Sequence, residues 1–241
     1  MDIGLHDDTL PRKCKEQDFM AELDGPRWGP ANGGKARQLV VLCHGVGADG
    51  NDLIDLAPYW ARAIPDAAFV APHAPDPFDL APFGRQWFPI GTLDPHALGG
   101  GVRRARAALD PFIDAELARL SLPADAYALM GFSQGAMTVL FTGLRRAVPP
   151  RAILAYSGAL LAPESLPAEL AGRPPVLLVH GEADEIVPPS RSRDAEAALR
   201  AAGVPVESLL VPKLAHGIDD SGLSLGALTL QRAFAAPASP A

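Results

Sequence analysis

Short apolar runs without polar alternation recur along the chain at residues 39–43, 67–71, 127–130, 152–156, 176–179 and 206–211. Such runs predict strands covered on both faces, as in a parallel sheet. Between them lie segments with apolar residues near helical spacing: 53–64, 102–120, 136–146, 190–202 and 223–234. Asp110-Pro111 inside the second of these predicts a kink or restart. The alternation of strand and helix implies an α/β fold with a mostly parallel central sheet and helices on both faces. Functional groups are then expected in the loops that follow the carboxyl ends of the strands.

The flanks read differently. Residues 1–24 are polar and weakly patterned, which predicts a flexible N-terminal tail, and the Gly/Pro-rich stretch that continues to about 36 predicts a hairpin or loop. Residues 25–234 form the expected single domain. The Ala/Pro-rich end, 235–241, is expected to be disordered. The span 126–144 is free of charge over a length that could suggest a membrane helix, but Gly131, Ser133, Gln134, Gly135 and Thr138 make its centre polar and Gly-broken. It reads as a strand, a turn and a buried helix.

Composition narrows the chemistry. With 241 residues, 48% hydrophobic and 20% charged, the chain is that of a globular protein of one α/β domain. Its formal charge of −7 argues against nucleic acid or an anionic membrane surface as the main partner. Two cysteines, Cys14 in a polar stretch and Cys43 in an apolar run, make no disulfide framework and have no metal-ligand spacing. The acidic N-terminus lacks a secretory pattern, so a cytoplasmic protein with no metal and no cofactor is expected.

Three motifs compete for the function. Gly131-Phe132-Ser133-Gln134-Gly135 is a G-x-S-x-G pattern, of which a chain with 23 glycines and ten serines would hold about 0.09 by chance. Here it joins a strand-like run to a helix-like run, as a nucleophile elbow must. A second match, Gly222-Leu223-Ser224-Leu225-Gly226, has no strand before it and falls in an amphipathic helix. The third, Gly29-Pro30-Ala31-Asn32-Gly33-Gly34-Lys35, approaches a phosphate-binding loop, but Ala36 lacks the hydroxyl for magnesium and a strand follows.

A serine hydroxyl needs a base, and the base needs an orienting carboxylate. His216 follows the last strand-like run and stands beyond the acid-bearing loop. His6, His73 and His96 lie in the tail, too early in the chain order or in a long loop, and His180 abuts a strand end, where a structural role is expected. Glu182, Asp184 and Glu185 compete as the acid, and spacing does not rank them. An oxyanion hole needs two backbone N–H groups. Gln134, after the serine, supplies one, and Val46 in the small-residue turn Cys43-His44-Gly45-Val46-Gly47 supplies the other. The long loop 72–101, with Phe78, Phe83, Trp87 and Phe88 among its prolines, is expected to form the acyl side of a pocket.

These residues together resemble the phospholipase/carboxylesterase family of α/β hydrolases, which includes acyl-protein thioesterases and small bacterial carboxylesterases. The resemblance spans about residues 25–234 and rests on five segments: 44–53 (HGVGADGNDL), 85–88 (RQWF), 131–136 (GFSQGA), 180–188 (HGEADEIVP) and 215–217 (AHG). It implies the α/β-hydrolase fold and a serine hydrolase of carboxylic esters, thioesters or lysophospholipids, working through an acyl-enzyme on Ser133. It also places the acid at Asp184, keeps Val46 and Gln134 as oxyanion donors, and favours Trp87 and Phe88 as substrate-binding residues. The expected partner is a small acyl ester or thioester, and because such enzymes often dimerise a homodimer is an expected state. Leu214-Ala215 and Gly217 depart from the family, which more often has small glycines before the histidine and a serine after it; that bears on the mobility of the His216 loop. Two other readings compete: a dienelactone-hydrolase-like enzyme, which would imply Cys at position 133, and a catalytically silent hydrolase fold used for binding.

Overall fold

The computed structural model describes residues 22–91 and 94–236. Nine strands are assigned among them: β1 (Arg27–Trp28), β2 (Gln38–Cys43), β3 (Ala67–Val70), β4 (Asp76–Pro77), β5 (Arg85–Gln86), β6 (Tyr127–Phe132), β7 (Ile153–Tyr156), β8 (Val176–Gly181) and β9 (Val206–Val211). The α-helices are α1 (Gly50–Ile54), α2 (Ala57–Trp60), α3 (Pro95–Arg119), α4 (Gln134–Gly143), α5 (Leu166–Glu169), α6 (Ser190–Ala201) and α7 (Asp220–Ala235), with a short 3-10 turn at Pro163–Ser165. Seven strands form one sheet in the order β1-β3-β2-β6-β7-β8-β9, parallel throughout except for the antiparallel edge pair β1 and β3. β4 and β5 make a separate two-stranded hairpin.

The unbroken apolar character of the strands follows from their double cover. In β2, Leu39, Val41 and Cys43 face one core with α3, α4 and α6, while Val40 and Leu42 face another with α1, α2 and α7. Among the described residues no helix is long and apolar enough to cross a membrane. The chain runs from β2 outward to β3, then crosses back over β2 to lay β6 on its other side. The loops after β2 and β6 therefore leave in opposite directions, and the crevice between them is the position where parallel α/β sheets bind ligands.

Several boundaries differ from the sequence expectation. α3 starts at Pro95, seven residues before the predicted 102. Asp94 caps it by accepting the Ala97 N–H at 2.8 Å, and Pro95 sits at its first position. The triple glycine 99–101 hid this turn, and Gly101 has a packing reason: a Cβ there would lie 2.8 Å from the Phe88 Cβ. Pro111 does not break the helix, because Leu109, Phe112 and Ile113 on either side are buried in the core and outweigh one missing hydrogen bond. The predicted helix 53–64 is instead two short ones, α1 and α2. The expected N-terminal tail, 1–24, lies mostly outside the described residues, but Leu23 is buried in the core and Asp24 pairs with Arg27 at 2.8 Å. Of the C-terminal tail, 237–241 lie outside the described residues.

Two motifs lose their chemistry here. Residues 29–35 form a turn that leads into β2, so no helix N-terminus follows Lys35 and the phosphate-loop resemblance fails. Ser224 sits within α7, its Oγ 3.0 Å from the Tyr59 hydroxyl. The glycines around it are packing glycines: a Cβ on Gly226 would lie 2.3 Å from the Tyr156 Oη, and one on Gly222 would lie 3.0 Å from Val179.

Candidate active site

Ser133 occupies the turn between β6 and α4 with φ 55° and ψ −117°, a conformation that a side chain disfavours. Its N–H donates to the Tyr156 carbonyl at 2.9 Å and its carbonyl accepts the Met137 N–H at 3.2 Å, so the strained residue is held from both sides. The flanking glycines are sterically required. A Cβ on Gly131 would lie 2.3 Å from Gly135 backbone atoms, and one on Gly135 would lie 1.9 Å from the Cys43 carbonyl oxygen. The turn therefore presses directly on the end of β2.

Asp184 follows β8 and His216 follows β9, so the two candidate partners stand at the same end of the sheet as Ser133. The His216 Nδ1–H donates to Asp184 Oδ2 at 2.7 Å, which leaves Nε2 as the basic nitrogen. Asp184 Oδ1 accepts the Ile186 and Val187 N–H groups, both at 2.9 Å. Its side chain is fully buried, whereas that of His216 is 18% exposed. Burial alone would raise the Asp184 carboxyl, but the His216, Val187 and Ile186 donors outweigh it and hold it below the usual carboxylate value. Glu182 and Glu185 are exposed. The His216 ring packs on Phe132 with centroids 4.8 Å apart, which sets the imidazole beside the residue that precedes Ser133.

The His216 loop stays close to β8 through Gly181, where a Cβ would meet the Leu214 and Ala215 carbonyl oxygens at 2.2 and 2.4 Å. Ala183 N–H donates to Leu214 O at 2.9 Å, and Lys213 supplies the left-handed turn at φ 63°. Leu214-Ala215, where the family more often has glycines, is thus accommodated without displacing His216 from Asp184.

His180 lies beneath the pair. Its Nε2–H points at the Val187 carbonyl at 2.8 Å and stands 3.1 Å from Asp184 Oδ2, while Nδ1 accepts from the Ser192 hydroxyl at 2.6 Å. His44, also buried, donates from Nδ1 to Gly45 O at 2.7 Å and accepts the Ala74 N–H at Nε2, which fixes the turn after β2; burial pushes this imidazole towards its neutral form.

A cavity of about 640 Å³ adjoins the serine. Val46, Ser133 and Gln134 line it, together with Met137, the run 159–164, and Ile186, Val187 and Ala195. Gln134 is the first residue of α4, so its N–H has no acceptor within the helix. Phe88 is part of the cavity wall, as are Ile90 and Leu98, but Trp87 is not. Trp87 is 1% exposed and donates its indole N–H to His44 O at 2.9 Å, so the substrate-wall expectation for Trp87 is corrected: the ring is turned into the core by that bond. The 72–101 loop thus supplies only part of the wall. The remainder, 159–164 and the start of α6, carries no catalytic signature in the sequence.

The fold and this serine, aspartate and histidine arrangement define the class of α/β hydrolases. The model of the phospholipase/carboxylesterase family matches residues 31–227, and the chain belongs to that family. It is 30% identical over 193 residues to esterase YpfH of Escherichia coli K12, covering 78% of this chain and 79% of that one. It is also 30% identical over 166 residues to acyl-protein thioesterase 1 of Neurospora crassa, covering 61% and 67%. The crystal structure of esterase PE8 superposes with a TM-score of 0.83 at 41% identity, covering 88% of this chain and 99% of that one.

Two outcomes follow from this geometry. Gly135→Ala should destabilise the protein by several kcal/mol, because neither the Cys43 carbonyl nor the turn can move aside without breaking β2–β6 pairing; chemical denaturation measures it. The second concerns Asp184. A carboxyl held low in the folded state stabilises fully above about pH 4, the ordinary unfolded value, and loses that contribution as pH falls through the folded value. The melting-temperature deficit of Asp184→Asn should be complete at pH 6–8 and shrink below about pH 4. A deficit that grows towards acid pH would contradict the downward displacement.

Proposed function

We propose that the protein hydrolyses carboxylic esters and thioesters of small molecules through an acyl-enzyme on Ser133. The observation that carries this reading is the Asp184–His216 hydrogen bond at 2.7 Å, at the sheet end where the strained Ser133 turn opens onto an apolar cavity. The esterase and thioesterase names of the relatives support it.

In this reading Ser133 Oγ attacks the acyl carbonyl carbon while His216 Nε2 takes the hydroxyl proton. The carbonyl oxygen becomes negative between the Val46 and Gln134 N–H groups. The C–O or C–S bond then breaks as His216 returns its proton to the leaving alcohol or thiol. Water adds to the acyl-enzyme by the same path in reverse, releasing the acid and restoring Ser133. Asp184 keeps Nδ1 protonated throughout, so Nε2 is always the exchanging nitrogen. Every group in this scheme comes from one chain, so a homodimer and a monomer would work alike. Cys43, a buried free thiol, suits the reducing cytoplasm, which we take as the working compartment. Phe88, Met137 and the 159–164 wall would receive the acyl chain at about 0.8 kcal/mol per buried methylene.

Ser133→Ala should lower turnover of a p-nitrophenyl ester by roughly 10⁴-fold or more and abolish covalent labelling by a serine-directed phosphonate. Ser224→Ala should change neither. A parent protein that resists the phosphonate would instead indicate a silent hydrolase fold. Enlarging the cavity wall with Ala159→Leu should lower kcat/KM for long acyl chains relative to acetyl esters, as read from initial rates over a chain-length series; an unchanged profile would place the acyl chain elsewhere.

A further inference from the structure

The two loops that would bind the oxyanion have no backbone pairing with each other beyond the last rung of their strands, Cys43 opposite Gly131. Past that rung they stay close only because glycines line the approach: a Cβ on Gly45 would lie 3.4 Å from the Ser133 Cβ and one on Gly135 2.6 Å from the His44 carbonyl oxygen. A third segment is hydrogen-bonded to both loops. On one side this segment follows the loop after β2. Arg85 accepts the Gly47 N–H at 2.8 Å and donates its own N–H to Ala48 O at 2.9 Å, and Trp87 donates its indole N–H to His44 O at 2.9 Å. On the other side it is bridged to the serine turn by one side chain. Gln134 Oε1 accepts the Trp87 N–H at 2.7 Å, and Gln134 Nε2 donates to Phe88 O at 2.7 Å.

We propose that Gln134 and Trp87 act as a clamp that locks the two oxyanion-binding loops in the arrangement their close packing allows, and that both side chains are positioning residues for the reaction. The Gln134 amide behaves as one more rung of a sheet, accepting and donating to consecutive backbone groups. Gln134 is 2% exposed, Trp87 1%, Phe88 1% and His44 0%, so no water competes for these bonds. A buried amide left unsatisfied is costly, which makes the bridged arrangement the stable one and fixes the rotamer of Gln134. The same residue therefore offers its backbone N–H to the developing charge and uses its side chain to hold the opposite donor, Val46, at a set distance through Trp87 and His44. Electrostatic stabilisation of a transition state depends on donors placed before the charge develops, so a clamp that removes slack between the two arms acts on kcat rather than on substrate affinity. This inference rests on the oxyanion assignment of Val46 and Gln134 proposed above.

The test uses Trp87→Phe, which keeps an aromatic ring and deletes the indole N–H, and Gln134→Met, which keeps side-chain length and deletes both amide bonds. Four quantities are measured for each: KM and kcat with a short-chain p-nitrophenyl ester, inhibition by a trifluoromethyl ketone, and melting temperature. The ketone adds the Ser133 oxygen to its carbonyl carbon with the serine proton passing to His216, and the resulting oxyanion mimics the intermediate. We expect kcat to fall about 10-fold or more, ketone affinity to weaken by a similar factor, and KM to stay within about threefold. A lowered melting temperature with unchanged kcat and unchanged ketone affinity would overturn the clamp and leave a packing role only. A rise in KM with kcat and ketone affinity preserved would overturn it in favour of a substrate wall. If Gln134→Met does not fold, Trp87→Phe decides by the same criteria. Phosphonate labelling of the parent separates the two levels: an unlabelled Ser133 overturns both readings, and a labelled parent with unaffected variants overturns the clamp alone.

Discussion

The contact between the turn at Gly135 and the carbonyl end of β2 is the constraint on which the rest of the site depends. With no side chain at 135, α4 starts so close to Cys43 that a methyl group there would lie 1.9 Å from its carbonyl oxygen. That approach fixes where the helix begins, and Ser133 must then turn the chain through a positive φ. Strain of this kind costs about 1–3 kcal/mol and persists only where neighbours overdetermine it. Here the neighbours are parallel pairing on both sides of β6 and the bonds from Ser133 N–H to Tyr156 and from Met137 N–H to Ser133. The strain presents the Ser133 side chain to the cavity, and the same approach brings the turn after β2 beside it.

Electrostatics at the other end of the site follow a related logic. A buried carboxylate is expensive unless its lone pairs are filled. Asp184 accepts from His216, Ile186 and Val187, and His180 stands within 3.1 Å on the side away from solvent. His180 cannot swing towards a substrate, since Ser192 and the Val187 carbonyl occupy its two ring nitrogens. Two histidines thus meet one carboxylate, and their surroundings separate them: the buried one is held at both ring nitrogens, and the partly exposed one meets the acid through Nδ1.

How much of this was legible in the sequence depends on whether a residue carries chemistry or only position. Ser133 and His216 could be nominated because nucleophilic catalysis demands those types in that order on this fold, whereas the acid stayed open among Glu182, Asp184 and Glu185 until the family resemblance placed it at Asp184. The strands could be found because double burial leaves unbroken apolar runs. Trp87 shows the limit. An aromatic residue in a long loop satisfies the expectation for a pocket wall, yet its direction is decided by the His44 carbonyl, a backbone atom with no sequence signature. Phe88, its equally buried neighbour, also packs in the core, against Gly101, yet lines the cavity as well. The early start of α3 was masked by three glycines that intrinsic propensity penalises, of which Gly101 is required by packing against Phe88. The second G-x-S-x-G had the reverse problem, since its glycines exist to let α7 approach Tyr156.

The cavity wall was the least legible element, and its support explains why. The run 159–164 has no regular structure until its last two residues, and Ala162 within it adopts a left-handed conformation at φ 48°. What holds it is a polar knot reached from α4: Arg145, its side chain fully buried, stacks 3.8 Å above the Phe141 ring, donates to Glu169 at 2.6 Å and to Ser165 at 3.1 Å, and Ser165 donates its hydroxyl to Glu169 at 2.7 Å and its backbone N–H to the Ala162 carbonyl at 3.2 Å. Arg103 of α3 closes the knot on Glu169 at 2.7 Å. Burial alone would raise Glu169, but Arg103, Arg145 and Ser165 outweigh it and bring it to about 2. Removing one member would leave another charge without its partner, so the group behaves as a unit. The elbow and the acid are anchored through the sheet, whereas the wall that shapes the cavity is anchored through α3 and α4. Substitutions in the knot are therefore placed to reshape the cavity while Ser133, Asp184 and His216 keep their geometry.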